Sequence, residues 1–202
     1  MLSVAWRAGL KSWQLPLLLA LTSSLLALAD VGVDEALRYH REAILHGQVW
    51  RLLSAHLLHL GWSHLLLNLC GLALVWALFV DELAGAFGWV VLLGSALGVG
   101  LGLLRFDPGL EWYVGLSGVL HGLFVAGALR RWPEQRLEAS VMLAVVAGKL
   151  LWEQVMGPMP GTSAISGGNV IVDAHLFGAV GGCLAALLWG VKIRTRKRTL
   201  LF

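Results

Sequence analysis

Charged residues are nearly missing from six stretches of this sequence, at about 10–29, 63–80, 87–104, 114–129, 137–152 and 170–191. Runs of that length and apolarity restrict a chain to few folds. The hydrocarbon core of a bilayer takes about 20 mostly apolar residues of helix, and the backbone groups inside it must be satisfied within the segment. The shorter runs reach that thickness with flanking residues, or by thinning the bilayer around them. Composition agrees: the chain of 202 residues is 58% hydrophobic and 13% charged, with ten tryptophans. A soluble domain carries about a quarter charged residues. The expected fold is an all-α membrane protein, one bundle of six transmembrane helices occupying 1–202, with no second domain and no internal repeat.

Lysine and arginine set the orientation, because they collect on the cytoplasmic side. Arg7 and Lys11 precede the first run, Arg130, Arg131 and Arg136 follow the fourth, and a basic tail at about 192–202 follows the sixth. With six spans these segments share one side, so both termini are expected in the cytoplasm. Residues 15–29 also carry the marks of a secretory signal ending in Ala27-Leu28-Ala29, and cleavage there would leave five spans. The first loop, about 30–62, holds Asp30, Asp34, Glu35 and Glu42 and suits the outside; within it, 49–60 reads as an interfacial helix. Residues 158–169, rich in glycine and proline, read as a loop. Cys70 and Cys183 lie in apolar runs and read as buried thiols. The basic tail reads as an anchor on the lipid bilayer, not as a nucleic-acid site.

Polar side chains inside a bilayer are costly and mark function. The second run opens with His64 and Asn68, the fourth with Gly115-Leu116-Ser117-Gly118, and the sixth with Asp173-Ala174-His175. Every even-numbered span starts at the outer face, so all three groups lie at one depth. A serine hydroxyl becomes nucleophilic only when a base takes its proton, and His175 is placed to do so. An oxyanion needs donors aimed at it. His64 and Asn68, four apart, share a helix face, and the Ser117 amide sits at the positive end of its helix. Gly115 and Gly118 allow close backbone approach.

Each piece has a plainer explanation. Small residues such as Gly-x-Ser-Gly are common where membrane helices pack, and His-x-x-x-Asn serves equally as an interhelical hydrogen-bond pair. His56, His59, His64, His121 and His175 raise a metal site, but no His-Glu-x-x-His is present and carboxylates near them are scarce. No metal and no cofactor is therefore expected. A transporter would show paired broken helices in its two halves; none are evident. The order and shared depth of the three polar groups favour the catalytic reading.

These residues resemble the rhomboid family of intramembrane serine proteases. Trp50-Arg51, His64, Asn68, Gly115-Leu116-Ser117-Gly118, His175, and Gly178 and Gly182 behind it, stand in the family's order from about 50 to 182. The resemblance implies a rhomboid-like six-helix bundle, a catalytic Ser117–His175 dyad, and an oxyanion hole made by His64, Asn68 and the Ser117 amide. It also implies an uncleaved first span. Gly115, Gly118, Trp50, Arg51, Gly178 and Gly182 become supporting residues.

A narrower likeness links Ser117-Gly118-Val119-Leu120-His121-Gly122, residues 149–154 and Asp173-Ala174-His175 to the rhombosortase branch. That branch implies single-span substrates with a C-terminal Gly-Gly, transmembrane-helix and basic-tail signal, in the inner membrane of a Gram-negative bacterium. A catalytically dead rhomboid-like chaperone, or a generic rhomboid protease, are the alternatives. His121 stands where the family often carries an aromatic residue stacked on the histidine, and is expected either to fill that place or to hydrogen-bond to His175. Lys149, Glu153 and Gln154 read as a neutralised pair with a neighbour, or as a substrate entrance. Asp173 is not expected to form a triad, since residues two apart on a helix face nearly opposite ways.

Overall fold

The computed structural model describes residues 9–199. Arg7, Lys11 and the basic tail, 192–202, lie outside the residues whose side chains are described. Six apolar helices fall where the six runs predict them: α1 (Gln14–Leu26), α5 (Trp62–Leu83), α6 (Ala86–Phe106), α7 (Ser117–Arg131), α8 (Arg136–Met156) and α10 (Val172–Thr199). By length and apolarity, α5, α6, α8 and the Val172–Gly190 part of α10 are able to cross a membrane. Their outward faces are lined by exposed residues such as Leu66, Leu93, Leu151 and Leu187, the surface that lipid covers.

Two helices are shorter than their apolar runs. The first is α1, of 13 residues. The second is α7, of 15 residues, about 22 Å long at 1.5 Å per residue. The fourth run was expected to turn helical at 114, but Trp112–Tyr113 form a strand, Gly115 has a positive φ, and α7 begins only at Ser117. Trp112–Tyr113 (β2) pairs antiparallel with Tyr39–His40 (β1), setting Tyr39 opposite Tyr113. The first loop is thereby stitched to the segment that delivers Ser117, and helix begins only at the serine.

That loop is built from short pieces, α2 (Val31–Leu37), α3 (Arg41–Leu45) and α4 (Arg51–Ser54), the last continued by one 3-10 turn, Ala55–Leu57. The continuous helix expected over 49–60 is thus a shorter segment ending before Leu58. Arg51 is buried and holds the loop together: its guanidinium donates to Gln48 Oε1 and to the carbonyls of Glu35 and Arg38. Trp50 Nε1 donates to the carbonyl of Ala36. Both therefore support the loop. The 158–169 segment contains a turn of helix, α9 (Thr162–Ser166), bounded by Gly161 and Gly167 at positive φ. Cys70 and Cys183 are free thiols, and Cys70 is exposed on α5 instead of buried.

α7 is the central helix; Val119, Leu123, Ala126 and Ala128 on it are fully buried. Glycines let α10 lie directly on it. A Cβ at Gly178 would overlap the carbonyl oxygen of Gly118, and one at Gly182 would meet Gly122 Cα at 2.5 Å. On the other side of α10, a Cβ at Gly98 would come within 2.9 Å of Gly181 Cα. Such backbone contact is how membrane helices gain packing energy in a solvent as apolar as their own side chains. At the far end of α7, Arg131 pairs with Glu82 of α5 at 2.6 Å and with Glu138 of α8 at 3.2 Å.

Candidate active site

The glycine contact between α7 and α10 sets the site. His175 stands one turn before Gly178, and Ser117 immediately before Gly118. The two side chains meet across the seam: Ser117 Oγ–H donates to His175 Nε2 at 2.9 Å. His175 is buried, 5% exposed. Its other nitrogen, Nδ1, lies 2.9 Å from Glu153 Oε2 on α8. A carboxylate only accepts, so Nδ1 carries the proton and Nε2 presents its lone pair to the serine. Glu153 is 2% exposed, and its second oxygen, Oε1, is 2.7 Å from Lys149 Nζ.

Lys149 and Glu153 form the expected ion pair and both line the cavity described below. Glu153 faces inward and meets His175 as well as Lys149. Gln154 is exposed and does not line the cavity described below. Asp173 makes no hydrogen bond to His175 among the described contacts, as its position on the helix required.

His121, one turn after Ser117, stacks on His175 with ring centroids 4.4 Å apart and planes 20° from parallel. Its Nδ1–H donates to the carbonyl of Ser117 at 2.7 Å, so it takes the stacking place and does not hydrogen-bond to His175. His121, Glu153 and His175 bring potential ligand atoms within 4.8 Å of one another. Glu153 and His175 are engaged with each other, with Lys149 and with Ser117 Oγ, and His121 Nδ1 is engaged with the Ser117 carbonyl.

The oxyanion side is arranged by α5 and the extended segment before α7. His64 Nδ1 accepts from the Leu60 amide at 3.3 Å. That leaves Nε2 as the protonated nitrogen, on the edge turned to Gly115. A Cβ at Gly115 would lie 3.2 Å from His64 Nε2, and Gly115 has φ +134. Both facts make glycine the residue that fits there. The Gly115 amide donates to the carbonyl of Ala55, and its carbonyl accepts from the Tyr113 hydroxyl at 2.9 Å. Burial raises the pKa of Tyr113, which stays a hydroxyl donor. Asn68 is buried, and Nδ2 gives one hydrogen to the His64 carbonyl at 3.0 Å, leaving the other. The Ser117 amide, in the first turn of α7, is among the helix donors that have no partner within the helix. His59 packs edge-on against His64, centroids 5.1 Å apart. Burial first, and the neighbouring His64 second, hold the His59 pKa down to about 4.

A cavity of about 430 Å³ opens on these groups. Ser117, His64, Asn68 and His175 lie on its floor, and Val75, Phe124, Val145 and Val146 among its apolar walls. It sits between α5 and α8, beside the loop that carries α9.

The Rhomboid domain profile matches residues 46–192, which takes in every one of these groups. The chain belongs to the rhomboid family. One relative of this rhomboid is the "Putative rhomboid protease YdcA" of Bacillus subtilis (strain 168), 28% identical over 145 residues, covering 72% of this chain and 69% of that protein. The matched rhomboid domain begins inside the first loop and leaves α1 outside it. The residues that sequence reasoning placed around Ser117 come together here. What it missed is the bond from Glu153 to His175, together with Tyr113, which fixes the Gly115 carbonyl.

Proposed function

We propose that this rhomboid is an intramembrane serine endopeptidase of rhombosortase type. The observation that carries the reading is the 2.9 Å bond from Ser117 Oγ to His175 Nε2 at the floor of an apolar cavity between helices. Such a cavity suits an unwound stretch of another membrane helix.

The chemistry follows from the geometry. Ser117 Oγ attacks the scissile carbonyl while His175 Nε2 takes the hydroxyl proton. The tetrahedral oxyanion is met by the Ser117 amide, His64 Nε2–H and the free hydrogen of Asn68 Nδ2. His175 returns its proton to the leaving amine, and the new C-terminal segment departs. Water, deprotonated by His175, then adds to the acyl-serine ester and regenerates the serine.

The substrate is a single-span protein whose N-terminal domain lies outside and whose basic tail lies inside. A helix shields its carbonyls, so the cut requires residues that unwind easily, and glycine does so at least steric cost. A Gly-Gly pair at the outer end of the substrate helix meets that need, and the likeness of residues 117–122, 149–154 and 173–175 to rhombosortases supports it. A serine-directed fluorophosphonate should label the wild type but not Ser117→Ala. A reporter fused to a Gly-Gly, helix and basic-tail signal should be released by the wild type and retained by Ser117→Ala and His175→Ala. Equal release of a Leu-Leu version of that tail would leave a generic rhomboid protease.

A further inference from the structure

We propose that Glu153 completes a Ser117–His175–Glu153 triad, with Lys149 as the clamp that aims the carboxylate. The inference rests on the serine-protease reading above and deepens it. Three observations carry it. Glu153 comes from α8, a different helix from either Ser117 or His175, so its contact is not imposed by local sequence. Its Oε2 meets His175 Nδ1 at 2.9 Å, on the ring edge opposite the serine. It is 2% exposed, and both its oxygens are occupied, one by His175 and one by Lys149 at 2.7 Å.

A buried carboxylate is costly unless paired and hydrogen-bonded. Lys149 is 34% exposed and reaches Glu153 from one turn earlier on α8, which offsets that cost and leaves Oε2 directed at the ring. The carboxylate does two things there. It selects the tautomer with the proton on Nδ1, so that Nε2 is free to accept from Ser117. It also faces the imidazolium formed when His175 takes the serine proton, a positive charge otherwise buried beside the His121 ring. Glu153 takes no proton itself and touches no substrate atom; it is a positioning residue. His121 stacking fixes the plane of the His175 ring, and Glu153 fixes its rotation within that plane.

The rival is that Lys149 and Glu153 are only a mutually neutralising pair. The two are separated by removing both charges. Under the triad, Glu153→Gln lowers kcat by up to about 10⁴-fold with little change in KM, the loss seen when a triad carboxylate becomes an amide. Lys149→Met/Glu153→Gln stays as low, because His175 still lacks its acceptor, and Glu153→Asp recovers part of the rate. Recovery of the double variant to near wild type, or Glu153→Gln within about threefold of it, overturns the proposal. Fluorophosphonate labelling of Ser117 should slow in parallel in Glu153→Gln while still going to completion. No labelling of the wild type would instead remove the serine-protease reading itself. Where a Glu153 variant fails to insert, nitrogen NMR of the histidine-labelled wild type decides: His175 is expected protonated at Nδ1, and protonation at Nε2 overturns the triad.

Discussion

His64 and Asn68 do different work, although both face the same point. His64 accepts the Leu60 amide on Nδ1, and only a glycine at 115 leaves room beside Nε2, so its donor is fixed before substrate arrives. Asn68 gives one of its two amide hydrogens to the His64 carbonyl and keeps the second. Donors held in place in a water-poor site are worth most in the transition state. Asn68→Ala and His64→Ala are therefore each expected to lower kcat by about 10 to 10³-fold, with KM little changed. Steady-state cleavage of the reporter tail checks this, and full activity in both variants would return the pair to a packing role. At this scale the sequence was legible where a residue's partner is the backbone or lies on the same helix. Ser117, His175, His64 and Asn68 could be named from order and depth. Glu153 could not be assigned, because Lys149 four residues away supplied an adequate partner and nothing in spacing reveals which face of α8 turns to α10.

Two elements, α7 and α10, hold Ser117 and His175 at bonding distance, and they do so through glycine. Any Cβ at Gly178 would collide with the Gly118 backbone, so the helices would have to separate. Overpacking of this kind costs about 1–3 kcal/mol, and a shift of about 1 Å in reacting groups is enough to cost about 10²-fold in rate. Gly178→Ala is thus expected to lower both the thermal midpoint in detergent and kcat. Gly148, on the outer face of α8, provides the contrast: nothing lies within 4 Å of its would-be Cβ. Gly148→Ala should leave activity intact and raise stability by up to about 1 kcal/mol, the helix-propensity difference. If Gly178→Ala matched Gly148→Ala in both measurements, the seam would not be what sets the Ser117–His175 distance. The sequence placed these helices well, since apolar runs map directly onto membrane spans. It misplaced the start of α7 because residues 114–116 are apolar, while the pairing of Trp112 and Tyr113 with His40 and Tyr39, some seventy residues earlier, and the positive φ of Gly115 delay the helix to Ser117.

At the scale of the whole molecule, α7 carries both ends of the functional argument. It begins at Ser117, beside the first loop, and finishes at Arg130 and Arg131. At about 22 Å it is shorter than the roughly 30 Å hydrocarbon core, so one end must be recessed. Arg131 is committed to Glu82 and Glu138 at the polar end, which leaves the recess at the serine, roofed by the loops around β2 and α9. Positive charge belongs to the cytoplasmic side, so with Arg130, Arg131 and Arg136 there, that polar end is expected inside and the serine near the outer face. Cysteine accessibility in a background lacking Cys70 and Cys183 tests this directly. Glu134 is exposed in the turn between α7 and α8, and Ala164 is exposed on α9. A membrane-impermeant maleimide applied to intact cells should label Ala164→Cys and spare Glu134→Cys until the membrane is opened. Labelling of Glu134→Cys in intact cells would invert the molecule, and the cut would then fall at the inner end of the substrate helix, next to its basic tail.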